Sequence, residues 1–459
     1  MRAPPGLVDS HAHLDSEVYH GRLTDVLKSA RAAGVTHILT VGTSLESALQ
    51  AISISERHPE VAAAAGIHPN YIAEKGGDFN AVAALFDSAK LVAVGETGLD
   101  FYRDFTPRKA QHDAFRRHIE LALSKDLPVI VHVREAYDEA IEVIDSFEKP
   151  PRGVFHCFSG DAAFAEEVLK RGFFISVAGQ LSYRKADSLR AVAAGLPLGR
   201  LMVETDCPYL TPVPHRSKTN EPAYLALTAE VLAGCIGESL EDTARSTTAN
   251  AWRLFGMGEE PPRGVVAYAL RGNLYLNITN RCTNQCPWCV RYRSQWLAGY
   301  HLELEREPTC EEVIKAVEDA QPHESIVFCG YGEPTERLDI VKRAGAHFRK
   351  SGMRVRLDTN GLGSLSAGRD IVPELAGSVD AVSVSLNSAS AKEYERICRP
   401  AEGAKAHAAA VDFVIKARDT IGDVKVTAVD LPGVDTEAIR SLARRLGVKF
   451  RLRAYSRYA

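Results

Sequence analysis

Short apolar runs separated by helix-length segments recur along this chain, and that alternation is the signature of parallel strands joined by helical crossovers. Eight runs fall in the first half: Leu7 to Asp9, Ile38 to Gly42, Ala62 to Gly66, Leu91 to Gly95, Val129 to His132, Val154 to His156, Phe174 to Ser176 and Leu201 to Thr205. Eight strands in roughly 255 residues is the count and size of a (β/α)8 barrel. Six more follow Pro261-Pro262: Leu274 to Ile278, Ile326 to Phe328, Val355 to Leu357, Val382 to Leu386, Val424 to Val429 and Phe450 to Leu452. The expected organisation is α/β throughout. A complete TIM barrel occupies 1–258, a linker 259–267, and a partial (βα)6 barrel 268–459.

Composition sharpens this division. The 459 residues carry a net charge of −4, which conceals −8 over residues 1–264 and +4 over the rest. Six of nine cysteines lie in the shorter part, three of them within eight positions. An odd total with one tight cluster points to reduced thiols and metal ligation, not a secreted disulfide framework. The N-terminus reaches His-rich polar sequence before an apolar signal segment can form, and no run of 18 apolar residues occurs. A cytoplasmic protein with no membrane partner is therefore expected.

Side chains suited to metal ligation follow the strand runs of the first half. His11 and His13 follow the first, Glu96 the fourth, and Asp206 the eighth, while His132 and His156 close the fifth and sixth. Strand C-termini of a barrel converge on one face, so these distant residues can share a site. Two residues apart on an extended segment, His11 and His13 form a two-nitrogen pincer. Four imidazoles and two carboxylates suffice for two divalent ions of the Mg, Mn or Zn class, with Glu96 as a bridge. Such a site keeps about two positive charges, enough to attract phosphate in an acidic domain. Asp206 is then the expected proton acceptor for an attacking water, so Asp206 and Glu96 carry the catalytic expectation.

The surrounding residues resemble a known family. Asp9-Ser10-His11-Ala12-His13-Leu14, Gly66-Ile67-His68-Pro69, Gly95 to Asp100, His132 to Ala136, His156 to Gly160 and Glu204 to Leu210 resemble the TatD family of metal-dependent hydrolases over residues 6–257. The resemblance implies His11, His13, Glu96, His132, His156 and Asp206 as ligands and DNA hydrolysis as the activity. Two positions depart from it: the family's Arg-Gly-Lys reads Arg216-Ser217-Lys218, and a common Gln is His118. Arg216, Lys218 and Asn220 stand in a loop expected to meet phosphate. His68 is either a substrate contact or a structural imidazole beside Pro69.

The second half carries Cys282, Cys286 and Cys289 at C-x3-C-x2-C directly after a strand. Three thiolates hold three irons of a [4Fe–4S] cluster and leave the fourth open to a ligand. Structural zinc is the alternative, but it needs four ligands, and no fourth Cys or His lies within ten residues. This spacing, with Trp288 before the last Cys, resembles the radical S-adenosylmethionine superfamily. Gly330 to Thr335, containing Gly332, Glu333 and Pro334, is similar to its Gly-Gly-Glu element, and Ser385 and Asn387 are similar to its ribose-contacting positions. The resemblance implies S-adenosylmethionine as co-substrate, an electron donor as partner, and hydrogen abstraction from a substrate the sequence does not name. Cys310, Cys329 and Cys398 read as buried thiols, with Cys398 the candidate for a place at the cleft.

From Arg440 onward seven basic residues occur with no acidic one, and Arg451 and Arg453 alternate with apolar neighbours. They read either as a face for nucleic acid or nucleotide or as a solvated edge strand protected by charge. The chain is expected to be bifunctional: a dinuclear phosphodiester hydrolase joined to a radical enzyme acting on nucleotides or nucleic acid. The alternatives are an aminoacyl-tRNA ester hydrolase in the first half, or an iron–sulfur sensor gating the hydrolase.

Overall fold

The computed structural model describes residues 6–75, 79–103, 105–321 and 323–455. Two compact units divide at Pro261/Pro262.

In the first unit, eight parallel strands follow one another in chain order: β1 (Leu7–Ala12), β2 (Val35–Gly42), β3 (Val61–Ala65), β4 (Leu91–Asp100), β5 (Val129–Arg134), β6 (Gly153–Phe155), β7 (Phe174–Val177) and β8 (Leu201–Val203). Each expected run became a strand because strands buried on both faces read as continuous apolar stretches. Backbone bonds from Asp206 N–H to His11 O (2.9 Å) and from His13 N–H to Cys207 O (2.8 Å) join the last strand to the first and close the barrel. Its interior is filled by Val8, Leu39, Ala64, Ala93, Ile130, Val154, Phe174 and Met202, one from each strand. Leu254 and Phe255 of the helix Leu240–Phe255 seal the N-terminal end. The opposite end, where strands lead into loops, is left for function.

Closure brings β4 against β5 at a point where only glycine fits. Gly98 has φ of +143°, and a Cβ there would lie 2.0 Å from the His132 carbonyl oxygen. This contact sets His132 beside Glu96.

The second unit is an open seven-stranded sheet. Its strands are β9 (Ala267–Leu270), β10 (Asn273–Leu276), β13 (Ile326–Phe328), β14 (Val355–Thr359), β15 (Ala381–Ser385), β16 (Asp423–Val429) and β17 (Lys449–Arg453), in the order 17-16-15-14-13-10-9. A separate hairpin joins β11 (Trp296–Leu297) to β12 (Tyr300–His301). The six expected strands are parallel neighbours, while β9, antiparallel to β10, and the hairpin are additions to the sequence reading. One face presents Leu357, Val382, Val384, Val424, Val426 and Ala428 to the helices, against Phe348, Phe413 and Ile439. Among the described residues, no single helix is long and apolar enough to cross a membrane.

Candidate active sites

At the C-terminal mouth of the barrel the six expected ligands converge around Glu96. Glu96 Oε1 lies 2.8 Å from His156 Nε2 and 2.9 Å from His132 Nδ1. Its other oxygen, Oε2, lies 3.4 Å from His11 Nε2 and 3.7 Å from His13 Nε2. Asp206 Oδ1 closes the second group, 3.4 Å from His13 Nε2 and 3.8 Å from His11 Nε2. One carboxylate thus faces two nitrogen pairs, one with each oxygen.

The residues fit metal ions. The His11 and His13 Nε2 atoms are 3.3 Å apart, as are His132 Nδ1 and His156 Nε2. Two nitrogens bound tetrahedrally at ~2.1 Å from one ion would be separated by about 3.4 Å. His13 Nδ1–H donates to the Val41 carbonyl at 2.9 Å, which makes Nε2 the nitrogen aimed inward and available to an ion. His132 turns its Nε2 toward Asp100 Oδ2 (3.4 Å), and His156 its Nδ1 toward Glu204 Oε1 (3.5 Å). Metal-ligating imidazoles characteristically have carboxylates behind them in this way.

Asp100 and Glu204 thus stand behind two candidate ligands, a place that their positions within the sequence motifs do not reveal. Asp100 is itself fixed by Gln111, which accepts from its backbone N–H at 2.8 Å and donates to its carbonyl at 3.0 Å. Glu204 accepts from the Cys157 backbone N–H at 2.6 Å and from the Ser176 hydroxyl.

Electrostatics follow from burial. Burial acts to raise the Glu96 carboxyl, but the surrounding imidazoles overcome it and hold the group well below its usual range. Asp206 is likewise kept ionised, its burial outweighed by the His13 hydrogen bond and the nearby imidazoles. For His13, burial is overcome by Asp206 and Glu96, and its value rises to about 9. His68 goes the other way, pushed down to about 3 chiefly by burial. Its Nδ1 accepts from Asn70 N–H at 3.1 Å, so the proton sits on Nε2, which points at Glu96 Oε1 from 3.5 Å. His68 can therefore donate into the site.

The loop residues separate. Arg216 and Lys218 are exposed, and the Arg216 guanidinium stacks over Tyr183 at 3.8 Å. Asn220 differs from expectation. It is fully buried, its amide donates to the Thr205 and Tyr209 carbonyls (2.9 and 2.6 Å), and its oxygen accepts from Glu221 N–H. It holds the loop's shape and is not presented to a substrate. Tyr71 and Tyr209, both exposed, flank the mouth with ring centroids 5.6 Å from His68 and 6.0 Å from His13.

In the second unit, Cys282, Cys286 and Cys289 occupy the loop after β10, all as free thiols. The loop is tied to the end of the helix Ala391–Cys398. Gln285 N–H donates to Cys398 O at 3.0 Å, Ala401 N–H to Thr283 O at 2.9 Å, and Trp288 Nε1–H to Ile397 O at 3.1 Å. Burial pushes the Cys282 thiol up to about 12 and raises Cys289, while the Arg291 guanidinium opposes both. Arg291 Nη1 is buried without a hydrogen-bond partner, and a buried cation beside three sulfurs fits an anionic thiolate cluster.

The Gly332-Glu333 segment packs under this loop. A Cβ on Gly332 would lie 2.4 Å from the carbonyl oxygens of both Thr279 and Arg281, so the close approach needs glycine. Glu333 is buried, with both oxygens engaged. Oε1 accepts from the Thr335 and Thr359 hydroxyls (2.7 Å each), and Oε2 from Asn360 N–H (2.7 Å). It locks the end of β13 to the end of β14, and Pro334 is buried beside it. Ser385 is half-exposed, 3.3 Å from Arg453 Nη2. Asn387 and Trp288 differ from expectation. The Asn387 side chain is buried, accepting from Val429 N–H at 3.1 Å and lying 3.9 Å from Cys398 Sγ, and the Trp288 indole N–H is spent on the loop clamp. Cys398 is itself fully buried and does not reach the cleft.

Each unit matches a known family. Residues 8–256 match the family described as TatD related DNase, and residues 276–446 match the Radical SAM superfamily. The chain is 37% identical over 251 residues to the metal-dependent hydrolase YabD of Bacillus subtilis, covering 54% of this chain and 98% of that protein. It is 34% identical over 258 residues to a 3'-5' ssDNA/RNA exonuclease TatD of Citrobacter rodentium, covering 55% and 98%. Among solved structures, the TatD homolog YjjV of Escherichia coli superposes with a TM-score of 0.52 at 30% identity, covering 55% of this chain and 98% of that one.

Proposed function

The chain belongs to the TatD related DNase family and carries a radical SAM domain, and from that premise we propose that it is a two-centre enzyme: a dinuclear phosphodiester hydrolase and an S-adenosylmethionine-dependent radical enzyme. The observation that carries the first half is the division of Glu96 between two nitrogen pairs. His11, His13 and Asp206 would hold one ion and His132 and His156 the other, with Glu96 shared. Divalent ions there supply a nucleophilic water at neutral pH and neutralise charge on the phosphate.

The protein's own groups do the rest. Asp206, kept ionised and 13% exposed at its side chain, accepts the proton of the attacking water. His68 donates from Nε2 to a substrate oxygen. Arg216 and Lys218 meet flanking phosphates, and the exposed rings of Tyr71 and Tyr209 offer faces to unpaired bases, which supports single-stranded nucleic acid as substrate. Asp206→Asn should lower turnover by about 10²–10⁴-fold and, because the residue would also hold an ion, weaken binding at that one position.

In the second unit Cys282, Cys286 and Cys289 would hold a [4Fe–4S] cluster, which with S-adenosylmethionine and an electron donor supplies hydrogen-atom abstraction. Gly332 brings the Gly330–Glu333 backbone under the cysteine loop, Glu333 fixes it there, and Ser385 is available at the cleft.

The deciding experiment compares turnover on single-stranded DNA, RNA and misacylated tRNA with Mg²⁺ or Mn²⁺. Cleavage of the strands supports the reading, whereas deacylation alone replaces it with an ester hydrolase. For the second centre, anaerobic cluster reconstitution, S-adenosylmethionine and reductant should yield 5′-deoxyadenosine; none would favour the sensor.

A further inference from the structure

The sheet of the second unit has two unlike faces. The helix-covered face is apolar, whereas the other carries Arg356 and Asp358 on β14, Ser383 and Ser385 on β15, Lys425 and Thr427 on β16, and Lys449, Arg451 and Arg453 on β17. The register sets Asp358 beside Ser383, Ser383 beside Lys425, and Thr427 beside both Ser385 and Arg451. A row of cations and hydroxyls therefore crosses four adjacent strands.

The charges on this face do not balance. Asp358 is committed to Arg356 (Oδ1 to Nε, 2.8 Å), and Asp423 to Lys449 and Arg354 (3.2 and 2.6 Å). Among the described residues Lys425, Arg451 and Arg453 have no ion-pair partner, and Arg453 makes only its 3.3 Å contact with Ser385 Oγ. Lys425 is half-buried. Burial, with the Arg356 and Arg451 guanidiniums nearby, holds its ammonium below the usual lysine range despite Asp358 and Asp423. The edge strand β17 exposes Lys449, Arg451 and Arg453, whereas Lys425, on the inner strand β16, is withdrawn into a face already rich in positive charge. That arrangement is costly unless an anion completes it.

We infer that this face is the substrate trough of the radical domain and that it seats the phosphate of a phosphorylated organic substrate, with Lys425, Arg451 and Arg453 as its anion contacts. Three uncompensated cations, two of them forked guanidiniums, with Ser383, Ser385 and Thr427 hydroxyls between them, match a multivalent oxyanion better than a single carboxylate. The trough also lies near the cysteines, since the Arg453 charge acts on the thiols of Cys289 and Cys329. The inference rests on the radical reading of this unit and adds the chemical class of its substrate.

Pyrophosphate is a suitable probe. Calorimetric titration of the full-length, cluster-reconstituted protein without added divalent metal should show one site per chain, weakening with salt. Lys425→Met should lower the affinity at least tenfold while leaving the melting temperature without ligand unchanged or raised, because an uncompensated half-buried charge has been removed. Arg451→Gln should weaken binding without affecting the fold, whereas Asp206→Asn in the first unit should leave it intact. No saturable binding at millimolar pyrophosphate, or binding indifferent to both substitutions, overturns the trough. A chain that binds pyrophosphate but makes no 5′-deoxyadenosine would fail on the radical reading instead, so the two failures are distinguishable.

Discussion

His118 shows how one side chain can serve the barrel without touching chemistry. It is fully buried in the helix Arg108–Lys125, its Nε2 accepting from Ile67 N–H at 3.0 Å and its Nδ1–H donating to Ala114 O at 2.7 Å. The bond accepted by Nε2 requires the neutral ring, and burial holds its value down to about 4 from 6.5. The folded form therefore binds its proton less tightly than the unfolded chain. The resulting stability is complete above about pH 6.5 and falls as pH drops toward 4, by at most about 3 kcal/mol. His118→Gln keeps an acceptor and a donor and should remove that acid sensitivity, as read from denaturant midpoints across this range. Asp100 acts one step from the ions: Asp100→Asn should weaken metal binding about 10–100-fold in chelator competition, with the barrel intact. The convergence of the six candidate ligands was legible because His, Glu and Asp stood at strand ends. Asp100 and Glu204 were not, since an acid behind an imidazole has no spacing of its own, and Asn220 misled because its loop was legible but its inward turn was not.

Among the elements, β4 and β5 depend on the absence of a single side chain. Gly98→Ala would drive a methyl group into the His132 carbonyl, which as backbone cannot step aside, so a loss of about 3 kcal/mol or more is expected, together with lost metal affinity. Thermal unfolding with metal analysis checks both. The parallel strands were readable because helices or barrel packing cover them, leaving unbroken apolar runs. Strand β9 and the hairpin β11–β12 were missed for the converse reason: they are short, only half-buried, and mix polar with apolar residues. Alternation showed that Arg451 and Arg453 share a face of β17. Only the register across β14–β17 showed that Arg356 and Lys425 share it too.

At the scale of the molecule, each hydrophobic cluster among the described residues draws on one unit. Calorimetry should therefore resolve two unfolding transitions. A metal chelator should move the barrel's transition, and loss of the cluster the other, because a ligand stabilises only the unit that binds it. A single transition displaced by both treatments would contradict this.

The clamp on the cysteine loop bears on how the second centre matures. The hydrogen bonds to Ile397, Cys398 and Thr283 hold the cysteine loop through the chain's own backbone. If the three thiols hold a cluster, iron and sulfide added to the folded apoprotein should restore it without changing the far-UV circular dichroism.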